Sequence, residues 1–182
     1  MAKRTERTER KEAPARIVVE IQELLRVAQP IDTLWLDLVG DVEMSSRFQS
    51  LVLNCARYVG YMADWIIHPD EKPRMRYAAE AAKHIGSYVL GILDSPNGCG
   101  VEDQYIQRLA EQARINLAKW GQQDLETLAL AAVEECGELA QAVLRWTKEG
   151  IGGFAAVEAE TIDLGAVCVQ ILWLMDQQQK GA

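Results

Sequence analysis

Five acidic residues in the last third of the sequence have the types and spacing that hold a divalent metal: Glu134, Glu135 and Glu138 in EECGE, and Glu160 and Asp163 in ETID. Carboxylate oxygens are hard ligands, and several converging on a small volume suit Mg²⁺ or Mn²⁺. At about 100° per residue, Glu134, Glu135 and Glu138 fill one arc of a helix around LALAAVEECGELAQAVLRW. Val133, Cys136, Leu139, Ala140, Val143 and Leu144 form an apolar arc on the other side. Taken alone, that is the pattern of a surface helix with a solvated face. The next helix, VEAETIDLGAVCVQILWLMD, changes the reading. Glu160 and Asp163 lie one turn apart on the stripe of Val167, Ile171 and Leu174, while Ile162, Val169 and Trp173 cover the far side. A helix apolar nearly all round is a buried element. Ionised carboxylates on it are costly to bury and raise one another's pKa unless a cation compensates. Few Lys or Arg lie near these acids in the sequence. If an antiparallel helix pair brings Glu135, Glu138, Glu160 and Asp163 together, the compensating cation is a metal. Mg²⁺ held by few carboxylates keeps open positions, which phosphate oxygens occupy in metal-assisted hydrolysis.

EECGE at 134–138, followed after 21 intervening residues by ETID at 160–163, resembles the ExxE and ExxD signature of the MazG-like all-α pyrophosphohydrolases. The resemblance runs from roughly Trp120 to Asp176 and includes GELAQAV and the apolar run after Asp163. It implies Mg²⁺-dependent hydrolysis of a nucleoside triphosphate between its α and β phosphates, giving a monophosphate and pyrophosphate. By the same resemblance, Glu135, Glu138, Glu160 and Asp163 are the metal ligands, and Glu134 positions or deprotonates the attacking water. Gln170 stands two turns beyond Asp163, where relatives often carry Asn, and is assigned to the substrate side. The N-terminal half is longer than in a minimal member and lacks the acids, so one site per chain is expected. Two other readings stay open: phosphoribosyl-ATP pyrophosphohydrolase, normally a short single copy, and a non-catalytic nucleotide- or metal-binding helical regulator.

Other residues have a chemical and a structural reading. Arg145 falls two turns after Glu138, where it meets a β or γ phosphate or simply sits exposed at a helix C-terminus. Lys148, in the glycine-containing loop, has the same two readings. Trp120, before the acidic helix, stacks on a base or packs at a helix end, and Trp146 is its rival. His68 and His84 have no partner recognisable from spacing and read as structural. Cys55, Cys99, Cys136 and Cys168 form no CxxC pair and read as buried reduced thiols.

The elements that position these residues are helical throughout, because apolar residues recur at helical spacing and Val/Ile runs flanked by turns are scarce. Helices are expected at roughly 15–28, 43–67, 71–94, 102–119, 124–148 and 154–178. Pro30, Pro69, Pro73, the stretch Pro96 to Gly100 and the stretch Gly150 to Gly153 separate them. An all-α bundle follows, divided into a tail at 1–14, a helical half at 15–100 and a metal-binding half at 101–182.

The two halves share a weak similarity. With Gly60 laid on Gly137, LVLNCARYVGYMADWI runs alongside LALAAVEECGELAQAV, and with Gly86 on Gly165, HIGSYVLGIL runs alongside DLGAVCVQIL. In that register Arg57, Tyr58 and Tyr61 stand where the second half has Glu134, Glu135 and Glu138. Ala81 and His84 stand where it has Glu160 and Asp163. Either an ancient duplication lost its acids in the first copy, or two Ala- and Leu-rich helix pairs agree by chance.

Composition fits a folded domain, with 49% hydrophobic and 25% charged residues. The net charge of -8 and the absence of a basic face exclude a duplex-binding role. No signal peptide and no run long enough to span a bilayer is present, so a cytoplasmic protein with no membrane partner is expected. The apolar faces of helices 15–28 and 43–67 point to a homodimer or to an internal pseudo-dimer that buries them within one chain.

Overall fold

The structure is a computed structural model that describes residues 44–68, 72–94 and 103–181. The expected helix at 15–28, the tail before it and Cys99 lie outside the described residues. Among those described there are five α-helices and no strand, so the chain is all-α. In chain order they are α1 (Met44–Ile67), α2 (Lys72–Asp94), α3 (Asp103–Trp120), α4 (Leu125–Leu144) and α5 (Phe154–Gly181).

The ends of these helices follow from local chemistry. Gly121 takes a left-handed φ of 74° and its N–H donates to the Leu117 carbonyl at 3.0 Å, which closes α3 at a position where a side chain would be strained. Asp124 then caps α4, accepting the Thr127 N–H at 2.7 Å. Helix α4 does not run uniformly to residue 148. From Arg145 to Glu149 it widens into one π-helical turn, with the Thr147 hydroxyl donating to the Val143 carbonyl at 2.7 Å. Gly150, at φ 67°, ends that turn.

The helices α1, α2, α5 and α4 form a closed ring in which each packs on the next, and α3 lies against α5. Neighbours run antiparallel. Phe48, near the start of α1, meets Trp146, just past the end of α4, with ring centroids 5.2 Å apart. Trp65, late in α1, meets Tyr77, early in α2. Short connections favour this up-and-down arrangement.

Helix α5 is the central element, as its nearly uniform hydrophobicity requires. Every residue from Leu164 to Met175 is buried. It reaches close contact with two neighbours at Gly165, where an added Cβ would lie 2.6 Å from Leu109 Cδ2 of α3 and 2.9 Å from Val89 Cγ1 of α2. An Arg108–Glu158 ion pair also ties α3 to α5.

On α4 the buried stripe is Leu128, Ala129, Ala132, Cys136, Leu139 and Val143. The apolar arc expected from the sequence is therefore too broad, because Val133 and Leu144 are exposed. Among the described helices α4 packs chiefly on α1 and α5, so a core-facing strip rather than a half-cylinder is covered.

Candidate metal centre

The acids come together where α4 crosses α5. Glu135 stands at the edge of the buried stripe, beside Ala132, Cys136 and Leu139, and is half-buried for that reason. Glu160 and Asp163 leave the opposing face of α5 one turn apart, and both are half-buried. One oxygen from each of Glu135, Glu160 and Asp163 lies within 4.8 Å of the others. Among the described residues, no other three His, Cys, Asp or Glu side chains are grouped in this way.

Glu138 joins this centre from outside the trio. It is exposed, one turn beyond Glu135, and its charge raises the pKa of Glu135, Glu160 and Asp163. A protonated Glu160 donates a hydrogen bond to it. The four residues of the ExxE and ExxD pattern thus meet, but they are not equivalent: three share one small volume and Glu138 lies at its rim. Glu134 is exposed and adds its charge to the field at Glu135.

Burial and mutual repulsion act together on this set. Removal from water pushes the Glu135 carboxyl up to about 7, assisted by Asp163, Glu138, Glu160 and Glu134 in that order. Burial first, then the neighbouring carboxylates, also raises Glu160 and Asp163. Among the described residues, none of the three is ion-paired with Lys or Arg. The nearest ion pair along α5, Arg108–Glu158, uses a different acid.

The donor set fits a small divalent cation. Three half-buried carboxylates supply hard oxygens, and their repulsion is the energy that binding would relieve. They leave room in the coordination shell of such an ion for water and phosphate oxygens.

The secondary candidates are distributed unevenly. Arg145 and Lys148 are both exposed in the π-helical turn that follows α4. Gln170 is buried, and its side-chain amide donates to the Ala166 carbonyl on its own helix at 3.4 Å. Trp120 is 56% exposed at the end of α3, with the Lys119 ammonium 4.1 Å from its ring centroid, so it is neither core nor packed helix end. Its rival Trp146 is half-buried between Phe48 and Phe154 and packs as a structural residue.

Two groupings escaped the linear reading. Cys55, Cys136 and Cys168 come near one another in the core from three different helices, and burial pushes all three thiols up, which keeps them unreactive. Arg57, Tyr58, Tyr61, Trp65, Tyr77, His84 and Tyr88 form a chain of ring contacts between α1 and α2. The only linear signal for either was the helical spacing of its members.

The chain matches no family model, no curated protein and no solved structure. The geometry of the acidic centre therefore carries the functional argument.

Proposed function

We propose that this protein is a Mg²⁺-dependent nucleoside triphosphate pyrophosphohydrolase that cleaves between the α and β phosphates and releases a monophosphate and pyrophosphate. The observation that carries this reading is the convergence of Glu135, Glu160 and Asp163 within 4.8 Å, with no Lys or Arg among the described residues ion-paired to them. The ExxE and ExxD pattern, similar to that of the MazG-like enzymes, supplies the reaction class. Mn²⁺ is an alternative ion for the same oxygens.

In this reading Glu135, Glu160 and Asp163 hold the ion, and Glu138 completes the set from the rim. A Mg²⁺ held by these residues would neutralise phosphate charge and acidify a water. Glu134, exposed beside Glu135, accepts a proton from the attacking water or orients it. Arg145 and Lys148 meet the phosphate chain from the π-helical turn, where their charges offset the negative charge of the departing pyrophosphate. Trp120 offers an exposed ring on which a base stacks, while Gln170 supports the site through the packing of α5. No helix of the described residues is long and apolar enough to cross a membrane. A cytoplasmic location fits a reaction on free nucleotides.

The test is pyrophosphate release from a panel of ribo- and deoxyribonucleoside triphosphates with Mg²⁺, repeated with Glu138→Gln and Asp163→Asn. Activity in the wild type and its loss in both variants, with helicity retained, is the expected result. Wild-type inactivity across the panel with Mg²⁺ and with Mn²⁺ sinks the proposal. Metal uptake without turnover would instead indicate a nucleotide- or metal-binding regulator.

A further inference from the structure

Helices α1 and α2 present basic and aromatic side chains at the register positions where α4 and α5 carry their acids. Arg57 and Tyr58 correspond to Glu134 and Glu135, and His84 corresponds to Asp163. Elsewhere the arginines Arg108 and Arg114 meet the carboxylates of Glu158 and Glu111. Arg57 meets phenol rings instead. Its guanidinium carbon lies 6.0 Å from the Tyr58 ring centroid and 5.6 Å from that of Tyr61, and its Nε donates to the Tyr61 hydroxyl at 3.3 Å. Among the described residues no carboxylate is ion-paired with it.

These contacts fix the guanidinium without using it up. Its flat face rests on the rings and Nε is engaged, which leaves the edge formed by Nη1 and Nη2 with its own N–H donors. That edge matches two oxygens of a phosphate, the geometry for which arginine is better suited than lysine. Arg57 and Tyr61 are both exposed, so the edge is within reach of solvent. In a chain of net charge -8, an exposed guanidinium held by phenols rather than by a carboxylate is pre-organised for an anion from outside.

A platform for a planar group stands beside it. The imidazole of His84 stacks on Tyr58 with ring centroids 4.7 Å apart and planes 25° from parallel. Tyr58 is held in turn by Tyr61 and Tyr88, with centroids at 6.1 and 5.8 Å, so the platform is braced from both helices. His84 is exposed, and among the described residues no second ring lies against it, so the imidazole face turned away from Tyr58 is free to stack. Tyr58 touches both Arg57 and His84. The anion-binding edge and the stacking face are thus separated by about one ring, a span that a nucleobase and its 5′-phosphate bridge. The nearby acids are already engaged, Glu80 by Lys83 at 3.3 Å and Asp64 by His68 at 3.5 Å, and no group of carboxylates is present here to hold a metal.

We infer that the α1–α2 seam is a binding site for a nucleoside monophosphate, whose base stacks on the outer face of His84 and whose phosphate takes the free edge of Arg57. The site needs no divalent metal and does not rest on the acidic centre or on any activity there.

Titration calorimetry of the full chain with adenosine monophosphate in EDTA tests it, because EDTA removes any metal-dependent binding at the acidic centre. The wild type should bind one molecule per chain. Arg57→Gln should raise the dissociation constant by about tenfold or more, and adenosine, which lacks the phosphate, should bind the wild type more weakly by a similar factor. Tyr61→Phe keeps the ring and removes the hydroxyl that holds Nε, so it should raise the constant by about threefold. His84→Ala should weaken adenosine monophosphate more than it weakens inorganic phosphate, since only the former has a base to stack. Glu135→Gln and Asp163→Asn should leave the affinity unchanged, and circular dichroism should show wild-type helicity in every variant. No binding by the wild type at millimolar ligand overturns the inference, including the case in which another segment of the chain covers His84. Binding that survives Arg57→Gln, or that adenosine equals, overturns it as well, and binding lost in Glu135→Gln would move the ligand to the acidic centre and overturn this site.

Discussion

Tyr58 and His84 stack with ring centroids 4.7 Å apart, at the positions of α1 and α2 that the glycine register aligns with Glu135 and Asp163. The same two helical positions therefore meet in both halves of the chain, once as carboxylates and once as rings. In the first half the rings pack on one another, and Arg57 lies over Tyr61 at 5.6 Å from its centroid. An aromatic pair fills its crossing by its own contacts, whereas a carboxylate pair requires a proton or a cation to relieve its repulsion.

The acidic centre should trade stability for metal affinity. Replacing Glu135 by Gln removes one of three mutually repelling carboxylates, so the metal-free variant should melt above the wild type. The wild type should gain thermal stability on adding Mg²⁺ or Mn²⁺, and the variant should gain little. Melting curves with and without metal check this, and equal metal responses in the two proteins would argue against a shared ion.

Stability of the metal-free protein should fall as pH rises. The folded Glu135 pKa of about 7 lies above its unfolded value of 4.5, so the native state holds more protons between these limits. The stabilising contribution is complete below pH 4.5 and is lost as pH rises through 7. Glu160 and Asp163, also raised, act in the same direction. Because metal binding requires deprotonation, added Mg²⁺ should raise the melting temperature more at pH 8 than at pH 5.5. A denaturation series over that range, with and without Mg²⁺, measures both slopes.

Tyr58→Ala should separate the two halves functionally. Loss of ring contacts to His84, Tyr61 and Tyr88 should cost about 1–3 kcal/mol. Under the proposed function, pyrophosphate release per folded molecule should stay within about twofold of wild type, a change below 0.5 kcal/mol in barrier. A large loss of turnover with a small loss of stability would place chemistry in the α1–α2 half.

Two glycines should respond to alanine in opposite ways. At Gly165 the new methyl group would press on Leu109 and Val89, both fully buried, and over-packing of this kind costs about 1–3 kcal/mol. At Gly137 nothing lies within 4 Å, so the better helix propensity of alanine should add about 0.5–1 kcal/mol. Urea midpoints of Gly165→Ala and Gly137→Ala test the pair, and a stabilised Gly165→Ala would show that the α3–α5 crossing adjusts freely.

Much of the architecture was legible in the linear chain. Helical spacing of apolar residues, the proline and glycine breaks, and the uniform hydrophobicity of residues 164–175 were enough for an all-α bundle with α5 at its centre. These are local properties, since periodicity and turn chemistry depend on residues a few positions apart. The limit of the same reasoning shows on α4, where Val133 and Leu144 look like core residues and are exposed. Hydrophobicity gives a direction around the helix, but the width of the covered strip depends on how many neighbours pack there.

The sequence by itself determined the helices, their order and the acidic residues that α4 and α5 carry. Only the tertiary structure decided that Glu135, Glu160 and Asp163 form the tight trio while Glu138 stays at its rim. The crossing of α4 over α5 makes that difference. At about 100° per residue, Glu135 lies roughly 70° from the middle of the buried stripe of α4, whereas Glu138, one turn on, lies roughly 130° from it and faces solvent. Spacing along a chain sets which residues share a helix face, but the rotation of each helix against its neighbour sets which of them meet.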